Sequence, residues 1–319
     1  MIHDSQSPHI HVTRNKDSRK TVIVTGCSSG IGFELAKLLA RSKRYRTIIT
    51  ARSRSIEILR KAFQENENFL IRELDVTVPE QVLAVVEEAS RHFGQIDLII
   101  NNAGICYRGV VEHMDEQSEM DQIRTNYLGP IGFIRQVLPI MREQKSGCIV
   151  NVSSLSGNVP MPTMGSYSAS KHALEAASEA LWYEAHPYGI RIHCVQPGFV
   201  RSDSYMNVKL SNKAKISEAL YGPHSEFYSG MTPFIDRMMH FAMAGPDKVA
   251  RRILTVANAK YAPLFVPVTI DAVVLSLLKK ILPQGFFNRL MYFLLPGSST
   301  WGKVKQNSHS PELIESPHT

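Results

Sequence analysis

The sequence predicts an α/β fold: a doubly wound parallel sheet of seven strands with helices on both faces. Two observations carry this expectation. From Thr21 onward, short runs rich in Val and Ile alternate with longer helical patterns, which implies right-handed βαβ crossovers and a parallel sheet covered on both sides. No period of roughly 20 to 50 residues recurs, which excludes solenoids and propellers. The chain of 319 residues is 44% hydrophobic and 20% charged, so it has the apolar material for one large domain and is no disordered, collagenous or disulfide-scaffold chain.

Taken in order, the expected strands are Thr21 to Thr25, Thr47 to Ala51, Phe69 to Leu74, Ile96 to Asn101, Cys148 to Val152 and Ile190 to Val195, with Leu264 to Val268 as the seventh. Each is a short apolar, β-rich run. Helical patterns lie between them, among them Ile31 to Ala40, Pro79 to Phe93 and Ser166 to Ala185. Asp271 to Leu282 and Gly285 to Leu295 read as amphipathic helices. Packing onto the domain or a partner subunit is the plainer expectation for them. The other is peripheral membrane contact, with Lys279, Lys280 and Arg289 reaching anionic headgroups. The chain thus divides into a flexible polar leader (1–19), the α/β domain (20–269), a helical extension (270–296) and a disordered tail (297–319) in which Ser, Pro and His dominate.

Several classes fall away. Cys27, Cys106, Cys148 and Cys194 form no C-x-x-C pair and no zinc spacing, and read as reduced thiols of a cytoplasmic protein. The first twenty residues carry no apolar stretch of the kind a secretory signal needs. His3, His9 and His11 have no Cys or carboxylate beside them at ligand spacing, so no metal is expected. Tyr261 to Leu278 is the most apolar stretch, but Pro263, Pro267 and Asp271 interrupt it, which makes a poor transmembrane helix. Asn151-Val152-Ser153 fits a glycosylation pattern but closes an apolar strand-like run, and is discounted.

The chemistry is expected in the loops after the strands, where doubly wound folds bind ligands. After the first strand comes Thr25-Gly26-Cys27-Ser28-Ser29-Gly30-Ile31-Gly32. Its glycines permit a tight turn and a close backbone approach, and the following helix offers free N–H groups to a pyrophosphate. The second strand ends in Thr50-Ala51-Arg52-Ser53-Arg54, with no carboxylate before Glu57. A guanidinium at Arg52 suits a 2′-phosphate, so NADP(H) is favoured over NAD, whose ribose calls for an acid there; Arg54 better fits a solvated surface residue. Asp75, with Val76 after the third strand, is placed to meet the adenine, and Asn102-Ala103-Gly104 after the fourth to lie against a ribose.

Tyr167 and Lys171 stand four apart on a helical pattern and share a face. A nearby ammonium favours the phenolate, so Tyr167 is expected to act as general acid and base with its pKa lowered by Lys171. Ser154 closes the strand end Val150-Asn151-Val152-Ser153-Ser154 and is placed to stabilise charge on a substrate oxygen. Alternation points the neighbouring Ser153 to the other face.

Together these residues resemble the short-chain dehydrogenase/reductases, from about Lys20 to Val268. The resemblance implies a Rossmann-type sheet, a homodimer or homotetramer, and a Ser, Tyr, Lys and Asn set whose Asn is Asn126, holding a water that links Lys171 to solvent. It places Pro197 and Gly198 at the nicotinamide with Val200 and Ser202 near its carboxamide, a Ser where the family often has Thr. Gly26 to Gly32, the basic link Ser42 to Arg46, Arg52 and Glu226-Phe227-Tyr228 look most like the 17β-hydroxysteroid dehydrogenase and photoreceptor-type retinol dehydrogenase branch. That branch implies NADP(H) and a steroid- or retinoid-like substrate; its substrate-binding histidine is not carried to His224, which is out of register.

Residues from about 201 to 245 fall where the family builds a substrate lid. Met206, Met231, Met238, Met239 and Met243 with Phe227, Phe234 and Phe241 suit a large apolar ligand, or a lid burying its own face. Met161, Pro162 and Met164 border the pocket in this reading, and Met164 and Phe199 touch the substrate together with Ser154 and Tyr167. The net charge of +7 equals the excess between Arg41 and Lys61, where Arg41, Lys43, Arg44, Arg46, Arg52, Arg54, Arg60 and Lys61 face Glu57 alone. That places the charge around the second strand, and nucleic acid is not needed to explain it. The expected activity is interconversion of an alcohol and a carbonyl on a lipophilic molecule; the alternatives are a 3-oxoacyl or long-chain-base ketone reductase and a non-catalytic cofactor-binding scaffold.

Overall fold

The computed structural model describes residues 18–201, 208–219, 224–299 and 301. Its strands are β1 (Lys20–Val24), β2 (Tyr45–Ala51), β3 (Phe69–Glu73), β4 (Leu98–Asn101), β5 (Tyr107–Arg108), β6 (Gly147–Val152), β7 (Ile190–Gln196), β8 (Lys209–Leu210) and β9 (Phe265–Pro267). Its helices are α1 (Gly30–Ala40), α2 (Ser53–Ala62), α3 (Pro79–Phe93), α4 (Glu116–Ile123), α5 (Gly129–Gln144), α6 (Gly165–Ala185), α7 (Asn212–Ala219), α8 (Ser225–His240), α9 (Pro246–Asn258), α10 (Ile270–Ile281) and α11 (Gln284–Leu294). Seven strands form one sheet in the order β3-β2-β1-β4-β6-β7-β9, with every pair parallel. They are the seven strands expected from the sequence, and the order reverses between β1 and β4, where the carboxyl ends open a crevice.

Alternation along β1 shows how the two layers arise. Val22 and Val24 enter one core with Leu35, Ala36 and Leu39 of α1, Ile56 and Leu59 of α2 and Val249 and Ile253 of α9. Ile23 points the opposite way, to Val85 and Val86 of α3, Phe133 and Val137 of α5 and Leu181 of α6. A third cluster lies beside the carboxyl edge of the sheet. There Leu155, Val159 and Met161, after β6, meet Met231 and Ile235 of α8, Ala272 of α10 and Phe287 of α11. The inner faces of α10 and α11 therefore pack on the domain.

Two features depart from the sequence reading. β5 pairs in parallel with β8 through Tyr107 and Lys209, and Arg108 and Leu210; a two-residue strand is too short to show a period. The basic cluster is also not one field at the cofactor edge. Arg41, Lys43, Arg44 and Arg46 sit at or before the amino end of β2, and seven strand residues place them on the order of 20 Å from its carboxyl end. Arg46 is buried, its guanidinium over the Phe93 ring at 5.3 Å, and Arg60 pairs with Glu57 at 2.7 Å. Arg52 and Arg54 are the members at the carboxyl end of β2. Asn151 is fully buried and bonded to Asn101 and Ser178, which closes it to glycosylation.

Candidate active site

The loops after β1 and β4 close on one another. Thr25 Oγ1 accepts from the backbone N–H groups of Asn102 and Ala103, both at 3.0 Å, and Asn102 Nδ2 donates to the carbonyls of Thr25 and Gly26 at 2.9 Å. Gly26 has φ of 70°, and a Cβ there would lie 2.7 Å from Ala103 Cα. At Gly32 a Cβ would lie 2.3 Å from the Gly26 carbonyl oxygen and 2.5 Å from Asn102 Nδ2. The turn from Ser28 to Ile31 leads into α1, whose N-cap Ser29 makes no side-chain cap bond and whose first turn holds no acid. Donors without a side-chain partner, beside walls that tolerate no Cβ, fit the pyrophosphate of a dinucleotide.

Arg52 is the half-buried N-cap of α2. Burial first, then Arg54, lowers its pKa, while Asp75 opposes them, which sets the Asp75 carboxylate within electrostatic reach of the guanidinium. Asp75 Oδ1 also accepts from the Thr77 N–H and hydroxyl, at 2.9 and 2.7 Å. Val76 buries its side chain against Gly129, where a Cβ would lie 2.8 Å from Val76 Cγ2. Arg54 is exposed.

Ser154, following β6, and Tyr167, on α6, stand close enough for the serine hydroxyl to favour the phenolate. Burial, reinforced by Cys106, nonetheless raises the Tyr167 pKa above that of a free phenol, and Ser154 only partly offsets this. Lys171 Nζ is 6.0 Å from the Tyr167 ring centroid and donates to the Val152 carbonyl at 2.9 Å. The expected depression of the phenol by Lys171 is therefore absent in the protein alone, because desolvation outweighs a charge turned toward a backbone oxygen. Burial also pushes Lys171 itself down to about 8, against the pull of Glu175.

Asn126 lies fully buried in a π-helical turn, Arg124–Leu128, between α4 and α5, a distortion that recurs at functional sites. Its Nδ2 donates to the Ile105 carbonyl and to Ser170 Oγ, each at 2.9 Å, and its Oδ1 accepts from the Ile105 N–H at 2.9 Å. That uses both donors and leaves one acceptor lone pair on Oδ1. Asn126 and Lys171 converge over Gly104, where a Cβ would lie 3.3 Å from Asn126 Oδ1 and 3.7 Å from Lys171 Nζ.

Three groups at this edge escaped the sequence reading. Glu175, one turn beyond Lys171, accepts from Ser153 Oγ at 2.5 Å and Gln196 Nε2 at 2.9 Å; the four-residue spacing from Lys171 was its available signal. Thr163 has φ of 65°, a strained value for a β-branched residue. Arg108 Nη2 donates to its Oγ1 at 3.1 Å, and Gly109 N–H to its carbonyl at 2.9 Å, so β5 pins the entry to α6. The third group is Thr269 with Asp271. Gly198 N–H donates to Thr269 Oγ1 and Phe199 N–H to Asp271 Oδ2, both at 2.8 Å, and Leu155 N–H to the Pro197 carbonyl at 2.7 Å. The Pro197-Gly198 loop is thereby held at the start of α10.

Other expected residues scatter. Val200 is buried in the core with Val195 and Val249, so its side chain does not face the crevice. Ser202 and Met206 lie outside the described residues. Phe199 and Met164 border the third cluster, with Phe199 edge-on to Phe234 at 6.5 Å. Phe241 and Met243 are 73% and 74% exposed and leave the proposed pocket lining, because they follow the last turn of α8. His224 meets Glu112 at 2.7 Å, and His113 Nδ1 lies 3.0 Å from Tyr228 Oη, which ties α8 to the loop after β5. Among the described residues no cluster of His, Cys, Asp and Glu could hold a metal.

The sequence profile of the short chain dehydrogenase family matches residues 20–213. The chain is 33% identical over 248 residues to the uncharacterized oxidoreductase YusZ of Bacillus subtilis, covering 76% of this chain and 86% of that protein. It is 36% identical over 177 residues to a 3-ketodihydrosphingosine reductase of Bacteroides thetaiotaomicron, 56% of this chain and 62% of that one. The solved structure of ElxO with NADP bound aligns with a TM-score of 0.65 at 25% identity, over 80% of this chain and 99% of that one. A profile that spans more than half the chain, together with the likeness of fold to that solved structure, makes this protein a member of the short-chain dehydrogenase family.

Proposed function

We propose that the protein is an NADP(H)-dependent oxidoreductase that interconverts an alcohol and a carbonyl on a lipophilic substrate of steroid- or retinoid-like size. The observation that carries this reading is the nearness of Ser154 to Tyr167 beside the third apolar cluster, with Lys171 and Asn126 converging over Gly104. The bound nicotinamide supplies or takes up the hydride. Thr25, Gly26, Ser28, Ser29, Gly30, Ile31 and Gly32 would hold its pyrophosphate, Asn102, Ala103 and Gly104 a ribose, and Asp75 and Val76 the adenine. Arg52 would grip the 2′-phosphate, a choice supported by the NADP held in ElxO.

In reduction, Tyr167 donates its Oη proton to the substrate oxygen while Ser154 hydrogen-bonds that oxygen; in oxidation the proton returns to Tyr167. The raised pKa of the phenol favours the donor form. Lys171, with its Nζ 6.0 Å from the Tyr167 ring centroid, would orient the ribose, and Asn126 would offer its free lone pair to a water on the path from Lys171 to solvent. Pro197, Gly198 and the Val200 backbone would border the nicotinamide, and Met164 and Phe199 would hold the apolar part of the substrate. The family's habit supports a homodimer or homotetramer.

A long-chain-base or 3-oxoacyl ketone is the second reading, favoured by the likeness to the 3-ketodihydrosphingosine reductase. Consumption of NADPH and of NADH, followed with retinal, ketosteroids, 3-oxoacyl thioesters and 3-ketodihydrosphingosine, decides between them. Turnover on retinal or a ketosteroid supports the first, turnover on the linear ketones alone replaces it with the second. Tight NADPH binding without turnover on any of them would make the protein a scaffold.

A further inference from the structure

We propose that the outward face of α10 and α11 docks onto a phospholipid bilayer bearing anionic headgroups. On α10, Ile270, Val273, Val274, Leu277 and Ile281 are exposed, and their spacing of three and four places them in one stripe. On α11, Phe286 and Phe293 stand two turns apart and are 58% and 78% exposed. The opposite faces are anchored by Ala272 and Phe287, which are buried, so packing on the domain holds the two helices with this stripe turned outward. An apolar surface of this extent on ordered helices marks an interaction site.

Charge selects the partner. From Ala272 to Pro311 the chain holds Lys279, Lys280, Arg289, Lys303 and Lys305 and no Asp or Glu. Lys279 is turned inward and donates to the Asn158 carbonyl. Lys280 and Arg289 are exposed, each one turn from a stripe residue, Leu277 for the first and Phe286 for the second. Long cationic side chains flanking aromatic and aliphatic ones are the pattern of a helix lying in an anionic interface. A contact with a second copy of the chain depletes charge at its centre and calls for no single sign. Among the described residues no helix is long and apolar enough to cross a membrane, so these helices of 12 and 11 residues would lie along it.

The same helices carry the inner side of the cluster that Met164 and Phe199 border, which brings the proposed substrate side next to the lipid that dissolves such substrates. The docking itself rests on neither cofactor nor turnover, so its failure is separable from failure of the proposed reaction. The test is flotation of the full chain with vesicles of phosphatidylcholine alone and of phosphatidylcholine mixed with phosphatidylglycerol. The wild type is expected to float with the mixed vesicles and much less with the neutral ones.

Lys280→Glu with Arg289→Glu should lower partition onto the mixed vesicles about tenfold. Phe286→Ser with Phe293→Ser should lower it on both vesicle types by about tenfold or more. NADPH titration of each variant checks that the fold is kept, and the charge pair alters only exposed side chains if the aromatic pair fails to fold. A wild type that stays at the bottom of the gradient, or variants that float as it does, would overturn the proposal. So would a wild-type oligomer that the aromatic pair dissociates in light scattering, which assigns the face to a second copy.

Discussion

The two walls of the crevice are built from different material. On the proposed cofactor side, residues 25–32 and 102–104 meet closely, with approaches to Gly26 and Gly32 that leave no room for a Cβ. On the proposed substrate side, Met161, Met164, Phe199, Met231 and Phe234 meet α10 and α11 through side chains. The first wall can fit one ligand shape, because a glycine-lined backbone cannot give way. The second can repack around related ligands, because Met has three rotatable bonds and a polarizable sulfur. A family that keeps its cofactor and changes its substrate needs this division.

The sharpest test lies where the walls meet. Tyr167→Phe removes the proton donor and is expected to lower kcat by about 10² to 10⁴, while NADPH affinity by fluorescence titration falls far less; a loss of affinity as large as the loss in kcat would make Tyr167 chiefly a cofactor contact. Gly32→Val forces a side chain onto the Gly26 carbonyl. Overpacking of about 3 kcal/mol predicts an NADPH Kd raised roughly 100-fold, measurable by the same titration.

Arg52→Asp should shift the NADPH to NADH preference, read from kcat/KM for each, by about 10- to 100-fold, since a hydrogen bond to a charged group is worth about 1.5 to 3 kcal/mol. An unchanged ratio would remove Arg52 from the 2′-phosphate site. On the opposite wall, Met164→Leu conserves volume and should alter KM for an apolar substrate by no more than about tenfold. If Met164→Leu proved as damaging as Gly32→Val, the contrast between the walls would fail.

The subtlest test concerns Glu175, a positioning residue. Lys171 titrates at about 8; below that pH it is an ammonium and above it neutral. Glu175 favours the charged form, so Glu175→Gln should move this midpoint in the kcat against pH profile downward, with little change well below it. A profile that keeps its midpoint would reduce Glu175 to a structural partner of Ser153 and Gln196. Glu175→Asp, which keeps the charge, should restore most of the wild-type profile.

Much of the architecture was legible because its causes are local. Val-rich runs separated by amphipathic stretches announce a parallel sheet, since a strand buried on both faces is apolar throughout. Thr25 to Gly32 announces a tight turn for a similar reason, as the positive φ of Gly26 and the Gly26 carbonyl facing Gly32 are demands made within eight residues. The spacing of Tyr167 and Lys171 follows from the helix period. The register of β5 with β8 had no such signal, nor did the positive φ of Thr163.

The charge cluster shows the boundary most clearly. The sequence by itself determined that eight cations and one acid crowd residues 41 to 61, and that Tyr167 and Lys171 stand one helical turn apart on one face. Only the tertiary structure decided that Arg46 serves the core beneath Phe93 while Arg52 sits at the carboxyl edge, because the direction of a strand in its sheet separates neighbours in sequence. It also decided that burial, and not the neighbouring ammonium, governs the Tyr167 phenol. Desolvation depends on everything packed around a group, which no spacing along a chain records.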